Sequence, residues 1–265
     1  VSRKDQQLIQ RLTQERWGSV SEACVYLGTE ILTDLTNAVK GWSEGDNKPL
    51  VGFYNMHATS VYQDIFDFQS VYPNVVDLAQ PSQYYGGNAA KVGDQIRKIR
   101  QLLPKGDIIP WLTAGTYGEF PSQNMRDMVL ETFFNGARGI TFYLYTDFNG
   151  LDFKYTSEAI TIATKVEDII MDGQLISCEK LVSDNKNARV IGLEKQNGEA
   201  AILVSNYVTK ADQSISVNYR VSKPSYVIDL DNDVIVETIT SQKRKFCVKL
   251  SPRVRSKAFA VRPIE

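Results

Sequence analysis

The chain has 265 residues, enough for one large domain or two domains of ordinary size. With 43% hydrophobic and 23% charged residues it has the composition of a folded globular protein, which excludes disordered, collagen-like and disulfide-dense classes. Thirty basic residues against thirty-one acidic ones give a net charge of −1, so the sequence lacks the basic excess that nucleic acid requires. No apolar run approaches the roughly 18 to 20 residues of a membrane-spanning helix, so no membrane span is predicted.

The cysteines and the single histidine supply too few ligands for a structural zinc site, and we expect no metal and no cofactor. Cys178 and Cys247 lie in the same C-terminal segment and could pair in an oxidising compartment, but free, buried cysteines are at least as consistent with the pattern. The chain begins at Val1 without an initiator methionine or a signal-peptide profile, which is typical of a cut or processed end.

The first long element is a predicted helix over about 20–41. Ser19 and Glu22 form a capping box at its start, and Gly41 lies where it should end. Apolar residues recur every three or four positions, which predicts one buried stripe along the helix. The stripe consists of Val20, Cys24, Leu27, Ile31, Leu35, Val39 and Trp42.

Four short apolar runs then alternate with amphipathic helices, the pattern of an α/β protein with a parallel sheet. The runs lie at 50–54, 75–79, 108–112 and 140–145, and the helices at 89–103, 122–134 and 156–171. In the second helix Met125, Met128, Val129 and Phe133 are predicted to face inward. The spacing of about 25 to 33 residues predicts four βα repeats, either half or part of a (β/α)8 TIM barrel or a doubly wound sheet.

After Gly173 the helical period gives way to two-residue alternation, which predicts an antiparallel β-sandwich of about seven or eight strands. The alternating segments are 189–193, 201–204, 214–217, 226–228, 234–236, 246–250 and 258–261. We therefore predict two domains, the portion of a barrel at 1–175 and the β-sandwich at 176–265.

Chemistry in parallel α/β sheets is carried at the carboxyl ends of the strands, and here those ends are polar and aromatic. Amides and carboxylates bond hydroxyl groups, while aromatic faces cover the apolar side of a sugar ring, so the combination favours carbohydrate. The candidate substrate-binding residues are Tyr54, Asn55, His57, Gln80, Gln83, Tyr84, Tyr85, Trp111, Tyr117 and Tyr145. The glycine-rich turns match neither GxGxxG nor the P-loop pattern, which argues against a nucleotide.

Two segments carry a resemblance to a known class of proteins. IPWLTAGTYGE at 109–119 and NGARGITFY at 135–143 resemble the last two repeats of glycoside-hydrolase-type (β/α)8 barrels. ILVSNY at 202–207 and YVIDL at 226–230 resemble strands of the β-sandwich that such proteins commonly append. The similarity covers roughly 48–265 and implies the C-terminal half of such a barrel, its fifth to eighth strands, followed by the sandwich. It also favours an extracellular or secretory location.

The resemblance implies that Glu119, near the end of the seventh barrel strand, is the nucleophile of a retaining glycosidase. The acid partner in such families usually comes from the fourth strand, which this chain does not contain on this interpretation. Asp147, at the next strand end, is a possible substitute, although it could equally serve only to bond substrate hydroxyls. Glycoside hydrolysis is therefore one hypothesis, and a non-catalytic carbohydrate-binding or structural protein derived from a glycosidase fold is the other.

Each candidate also has a structural interpretation. Glu119 could be a carboxylate in the first turn of the following helix. His57 could be merely hydrogen-bonded in its loop, and Trp111 could belong to the core. Tyr84, Tyr85 and Tyr117 lie among glycines and small polar residues, which favours exposure as sugar platforms over packing under a loop.

Four barrel strands alone would leave apolar inner faces in water, which is costly. The residues concerned are Val51, Phe53, Val76, Ile109 and Phe142. We therefore expect a second polypeptide, the N-terminal half of the same precursor, to supply the remaining strands. The alternative is a symmetric pairing of two identical half-barrels. In that arrangement two copies of the sandwich and of the long first helix must fit around one barrel core.

Overall fold

The computed structural model describes residues 7, 11, 33–42, 49–55, 77–103, 106–115 and 119–264, with the backbone alone at 53–55 and 102. The chain divides into two compact units. The first comprises Val1–Ser82 with Gln101–Asp107, and the second comprises Gln83–Arg100 with Ile108–Glu265. None of the helices within these described ranges is both long enough and apolar enough to cross a membrane.

In the first unit, helix α1 covers 33–41 of the described residues and is followed by a parallel pair of strands, β1 (Gly52–Asn55) and β2 (Leu78–Pro81). Asp77 joins these elements. Lys40 Nζ lies 2.8 Å from its carboxylate, and the backbone N–H of Val51 donates to the same carboxylate at 2.9 Å. Partial burial works in the opposite direction, but these contacts lower the pKa of Asp77.

The predicted apolar stripe of α1 is not buried at its C-terminal end. Leu35 is 56% exposed and Trp42 is 82% exposed, so the prediction that both face a core is wrong for this structure. Thr36, on another side of the helix, is buried instead. The predicted end at Gly41 is confirmed, while the predicted start near residue 20 lies outside the described residues.

The remaining α/β elements follow the predicted order of strand and helix. They are α2 (Ala89–Leu102), β3 (Asp107–Ile108), β4 (Trp111–Leu112), α3 (Gln123–Phe134), β5 (Thr141–Phe142), α4 (Gly150–Thr164) and α5 (Glu167–Asp172). Strands β4 and β5 pair in parallel, as predicted. The third predicted strand is divided into β3 and β4 at Pro110, since proline has no N–H to contribute to a ladder.

Local capping chemistry sets where the helices begin. Asn88 accepts a hydrogen bond from the backbone N–H of Lys91 at 3.1 Å, so α2 begins at the predicted residue. Asn149 and Asp152 form a reciprocal capping box, which starts α4 at Gly150. The prediction of a single helix over 156–171 is therefore wrong at its start, and the region forms two helices, α4 and α5.

Helix α3 is buried on nearly every side rather than on one stripe. Met125, Met128 and Val129 are buried as predicted, but so are the charged residues Asp127 and Glu131. The predicted inward residue Phe133 is only half-buried, and the adjacent Phe134 is fully buried instead. The helix is covered on one face by barrel elements and on the other by the sandwich.

The C-terminal part is an antiparallel β-sandwich, as predicted. Its strands are β6 (Gln174–Leu175), β7 (Leu181–Ser183), β8 (Arg189–Glu194), β9 (Ala200–Ser205), β10 (Gln213–Tyr219), β11 (Ser225–Asp229), β12 (Val234–Ile239), β13 (Lys245–Leu250) and β14 (Ser256–Pro263). One sheet has the order β13-β10-β7 and the other β12-β11-β14-β9-β8-β6. All seven predicted strands are present; β6 and β7 are too short to show an alternation. The proposed boundary after residue 175 stays a prediction.

The larger sheet is covered on both faces at β9, whose six residues are all buried. Successive side chains of a strand point to opposite faces, so Ile202 and Val204 enter the core of the sandwich. Leu203 and Ser205 face the other way, and the hydroxyl of Ser205 donates to the carboxylate of Glu131 on α3. This strand therefore joins the sandwich core to the barrel helices.

The two C-terminal cysteines within the described residues are free and exposed, so neither a disulfide nor burial applies to them. In β13 buried residues alternate with exposed ones, and Cys247 lies between the buried Phe246 and Val248. The pleat of the strand therefore directs its thiol to the outer face.

Candidate functional site

Three chain segments of the second unit run side by side and end at one edge. The backbone N–H of Gln83 donates to the carbonyl of Trp111 at 2.8 Å, and that of Tyr143 donates to the carbonyl of Leu112 at 2.8 Å. Strand β4 thus lies between the segment at Gln83 and strand β5. We call the edge formed by Gln83, Tyr84, Trp111, Tyr143 and Tyr145 the strand-end face.

An aromatic pair crosses this face. The rings of Tyr84 and Tyr143 are stacked, with centroids 5.7 Å apart and planes inclined by 28°. Tyr84 is buried, so the prediction that its ring is exposed is wrong, while its role in binding stays a prediction. Tyr143 is 37% exposed and presents its ring above Tyr84. Tyr143, which lies in the predicted strand run 140–145, is not among the predicted substrate-binding residues.

The segment after β5 is held in place by further aromatic contacts. Phe148 packs edge-on against Phe142, with centroids 5.1 Å apart, and lies at the same distance from Phe153 of α4. A short 3-10 helix, Tyr145–Asp147, forms between these anchors. Tyr145 is 76% exposed, in agreement with its predicted placement at a strand end.

Gln83 is the least satisfied polar group of the face. Its side chain is 1% exposed, and neither its amide oxygen nor its amide nitrogen has a hydrogen-bond partner among the described residues. Leaving a buried polar group without a partner costs about 1 to 3 kcal/mol, so this amide lowers the stability of the fold unless a ligand or water bonds it.

The two candidate carboxylates are exposed and lie on segments that meet. Glu119 precedes α3 by several residues, and the first turn of that helix contains no acidic residue, so the interpretation of Glu119 as a first-turn carboxylate is wrong. Asp147 ends the 3-10 helix after β5. The amide of Asn149 contacts the hydroxyl of Ser122 at 3.4 Å, which brings the segments carrying the two carboxylates together.

The structure places the other predicted residues unevenly. Tyr85 is half-buried beneath the ammonium of Lys91, 4.4 Å from its ring centroid, and burial raises the pKa of Tyr85 to about 12. Trp111 is half-buried within β4, and Gln80 is half-buried in β2 of the first unit. The side chains of Tyr54, Asn55, His57 and Tyr117 lie outside the described residues.

A second polar region, on α3, surrounds a buried carboxylate with hydrogen-bond donors. Glu131 is fully buried, and Tyr207 donates to its carboxylate at 2.8 Å while Arg189 Nε donates at 3.1 Å. Ser205 and Asn135 complete the set of donors. Burial raises the pKa of Glu131, and the guanidinium of Arg189 opposes that rise. We call these five residues the Glu131 cluster.

One turn earlier on α3, Asp127 forms a similar set of contacts to the sandwich. Arg255 contacts its carboxylate at 2.5 Å and Ser256 donates to it at 2.6 Å. Burial raises the pKa of Asp127, and Arg255 opposes the rise. Arg126 extends the contact to Asp231 at 2.6 Å. These buried ion pairs fix one packing arrangement between helix α3 and the sandwich, which is a structural role.

Similarity to known proteins is found for the structure and not for the sequence. No protein-family model matches the sequence, and no curated protein matches it. A family GH27 β-L-arabinopyranosidase from Geobacillus stearothermophilus, in complex with arabinose, matches with a TM-score of 0.57 and 11% identity, over 89% of this chain and 62% of that chain. A glycoside hydrolase family 44 endoglucanase from Clostridium acetobutylium matches with a TM-score of 0.52 and 12% identity, over 90% and 61%.

A third match is the cyclomaltodextrin glucanotransferase CldA, with a TM-score of 0.56, 8% identity and coverage of 89% of this chain and 54% of that chain. The chain has a glycoside-hydrolase fold. Like the first two matching proteins, it combines elements of a TIM-type barrel with a β-sandwich. The chain spans 54 to 62% of the length of the three matching proteins. At these identities the likeness concerns the fold alone.

Within this glycoside-hydrolase fold, the described residues include no group of three or more histidine, cysteine, aspartate or glutamate side chains arranged to hold a metal ion. The described residues of the strand-end face and of the segments beside it present rings, amides, hydroxyls and carboxylates. Those groups can bond and stack on a polyhydroxylated ligand.

Proposed function

We propose that the chain binds carbohydrate at the strand-end face. The observation that carries this proposal is the Tyr84–Tyr143 stack, in which a buried ring supports a partly exposed one at the strand ends. A supported aromatic ring is a rigid platform for the C–H side of a sugar ring. Ligands of parallel α/β sheets bind at this same edge.

The buried amide of Gln83 supports the same proposal. A sugar hydroxyl both donates and accepts, so one ring with two hydroxyls could satisfy the oxygen and the nitrogen that lack partners among the described residues. Because Gln83 is 1% exposed, binding requires a small local opening of the strand-end loops.

The structural neighbours support carbohydrate as the class of ligand. Their descriptions name a β-L-arabinopyranosidase with bound arabinose, an endoglucanase and a cyclomaltodextrin glucanotransferase, which act on different sugars. We therefore propose the class and leave the particular sugar to experiment.

Substitution of Tyr143 tests the platform. We expect Tyr143→Ala to weaken binding of oligosaccharides on a glycan array by at least about tenfold, and Tyr143→Phe to retain most of the affinity because the ring remains. Tyr226 on β11 is equally exposed at 37% and provides a matched control. Loss of binding in both Tyr143→Ala and Tyr226→Ala, or in neither, would contradict the proposal.

We further propose that Glu119 and Asp147 act on an O-glycosidic bond, Glu119 as nucleophile and Asp147 as the second carboxylate. The support is that their segments meet at Asn149 and Ser122. Hydrolysis of a panel of 4-nitrophenyl glycosides tests this. Glu119→Gln and Asp147→Asn should each abolish turnover while Glu158→Gln, on exposed helix α4, leaves it intact; equal turnover in all three would remove both carboxylates from the mechanism.

A non-catalytic carbohydrate-binding or structural protein is the alternative, and one observation favours it. Glu119 and Asp147 are both exposed, whereas the acid of a glycosidase usually lies in an apolar pocket. Binding on the glycan array without turnover of any glycoside would favour this alternative over hydrolysis.

We also propose that a second polypeptide, the N-terminal half of the barrel, completes the strand-end face. Val51, Ile109 and Phe142 are half-buried, Trp42 and Tyr145 are exposed, and β5 is an edge strand among the described residues. Native mass spectrometry tests this. A monodisperse species of 29.8 kDa with no bound fragment would contradict it. An extracellular or secretory location remains part of the proposal.

A further inference from the structure

The turn between β13 and β14 of the sandwich contacts the first turn of α3. Arg255 donates to the side-chain oxygen of Asn124 at 2.6 Å and contacts Asp127 at 2.5 Å. The amide nitrogen of Gln123 donates to the carbonyl of Arg253. Two adjacent amides, Gln123 and Asn124, therefore both join α3 to the sandwich.

Of these two amides, only that of Asn124 has a hydrogen bond to the loop after β2 among the described residues. The side-chain nitrogen of Asn124 donates to the carbonyl of Gly87 at 2.9 Å. Gly87 has φ of +73°, and a Cβ at this position would lie 2.5 Å from Cγ of Phe120. The loop thus approaches Phe120 as closely as a glycine allows, and Asn124 holds it there.

This contact lies between the candidate binding and catalytic segments. Gly87 follows the run Gln83 to Tyr85 by two residues, and Phe120 is adjacent to Glu119. Asn124 therefore connects the sandwich, through Arg255, to the segment that carries the strand-end residues and to the segment that carries the proposed nucleophile.

We infer that Asn124 is a positioning residue for the strand-end face, and that the sandwich, through Arg255, takes part in positioning it. The inference rests on the proposed carbohydrate binding for its functional consequence. It assigns to the sandwich a part in building the site, in addition to its own folding.

The variant Asn124→Asp separates this role from stability. The carboxylate keeps the acceptor for Arg255 and is favourable in the first turn of a helix, but it cannot donate to the carbonyl of Gly87. Gln123→Ala is the matched control, because it removes a contact between α3 and the sandwich that does not reach the loop. We expect both variants to fold and to melt within about 4 °C of the parent.

Hydrogen–deuterium exchange on the full chain measures the position of the loop without any sugar. Asn124→Asp should accelerate exchange at least several-fold in peptides covering 83–88, while Gln123→Ala should leave those peptides unchanged. Unchanged exchange in Asn124→Asp would overturn the inference, whether or not the protein binds sugar.

Titration with the best ligand from the glycan array measures the consequence. Asn124→Asp should weaken binding by about tenfold or more, and Gln123→Ala should bind as the parent does. Faster exchange with undiminished affinity would overturn the positioning role. If the parent chain binds no sugar, the proposed function fails, and the exchange data alone decide whether Asn124 holds the loop.

Discussion

Gln83 and Glu131 are both buried polar side chains of the second unit, and their surroundings are opposite. Glu131 receives hydrogen bonds from Arg189, Tyr207, Ser205 and Asn135, which leaves its carboxylate fully paired. The amide of Gln83 has no partner among the described residues. Buried polar groups in proteins are normally paired, so folding alone does not explain why both polar atoms of the Gln83 amide are buried without a partner.

The two regions differ in how their buried polar groups are paired. Where α3 meets the sandwich, the carboxylates of Asp127 and Glu131 are paired with donors of the sandwich and contribute a defined packing arrangement. At the strand-end face, rings are partly exposed and an amide is left unbonded, which costs stability but leaves binding capacity for a ligand. Disruption of the first region should therefore affect folding, and disruption of the second should affect binding.

The largest effect is expected from removal of the Glu131 carboxylate. Glu131→Ala leaves the buried donors of the Glu131 cluster without an acceptor, while Arg189 keeps only Asp94 at 2.8 Å among the described residues, and it should lower the free energy of unfolding by about 3 kcal/mol. Urea titration measures this. Glu158 of α4, paired with Lys154 at 3.8 Å and 43% exposed, is the control, and Glu158→Ala should cost less than about 0.5 kcal/mol. Equal losses of stability in Glu131→Ala and Glu158→Ala would contradict a structural role for the Glu131 cluster.

A smaller loss should follow from crowding the same cluster. A Cβ at Gly93 would lie 2.0 Å from a carboxylate oxygen of Glu131, so Gly93→Ala should cost about 1 to 3 kcal/mol through displacement of that carboxylate. Gly150, the first residue of α4, has no atom within 4 Å of its Cβ position. Gly150→Ala should raise the midpoint of thermal unfolding slightly. If Gly150→Ala lowered stability as much as Gly93→Ala does, crowding at the Glu131 carboxylate would not explain the loss.

The smallest effect concerns acid pH and a partly exposed network that joins α5 to the sandwich. The bond from Asn197 lowers the pKa of Glu199, and the bonds from Lys195 and Arg262 lower that of Asp168 although partial burial opposes them. Lowered pKa values mean that the stabilisation is present at neutral pH and is lost as pH falls below about 5. The double variant Asp168→Asn and Glu199→Gln should lose less stability on acidification than the parent in urea titrations at pH 6 and about pH 3. A larger loss of stability on acidification in the double variant than in the parent would contradict the lowered pKa values of Asp168 and Glu199.

The order of elements could be predicted because it depends on local patterns. Two-residue alternation identified seven strands of the sandwich, and a period of three to four residues placed α2, whose Val92 and Ile96 are fully buried. The start of α4 was also readable, since Asn149 and Asp152 have the spacing of a capping box. The prediction instead assigned Asn149 to the polar end of the fourth strand and began the helix at residue 156.

The Glu131 cluster could not be predicted from local pattern. A carboxylate on an amphipathic helix is ordinarily exposed, and the partners that allow its burial, Arg189 and Tyr207, lie 58 and 76 residues away in the chain. At the site, glycines beside Tyr84 suggested exposure, whereas the ring of Tyr143 covers it. The burial of Glu131 and that of Tyr84 both depend on contacts between segments that are distant in the sequence.

The substitution Gln83→Met tests the central claim most directly, because it replaces an unbonded amide by an apolar side chain of similar size. Gln123→Met, at a glutamine that is bonded to Arg253, is the control and should cost about 0.5 to 1.5 kcal/mol in urea titration. We predict that Gln83→Met leaves the free energy of unfolding unchanged or raises it, while oligosaccharide affinity falls by about tenfold or more. A loss of stability with undiminished affinity would show that Gln83 serves the fold and would contradict the assignment of the strand-end face as the binding site.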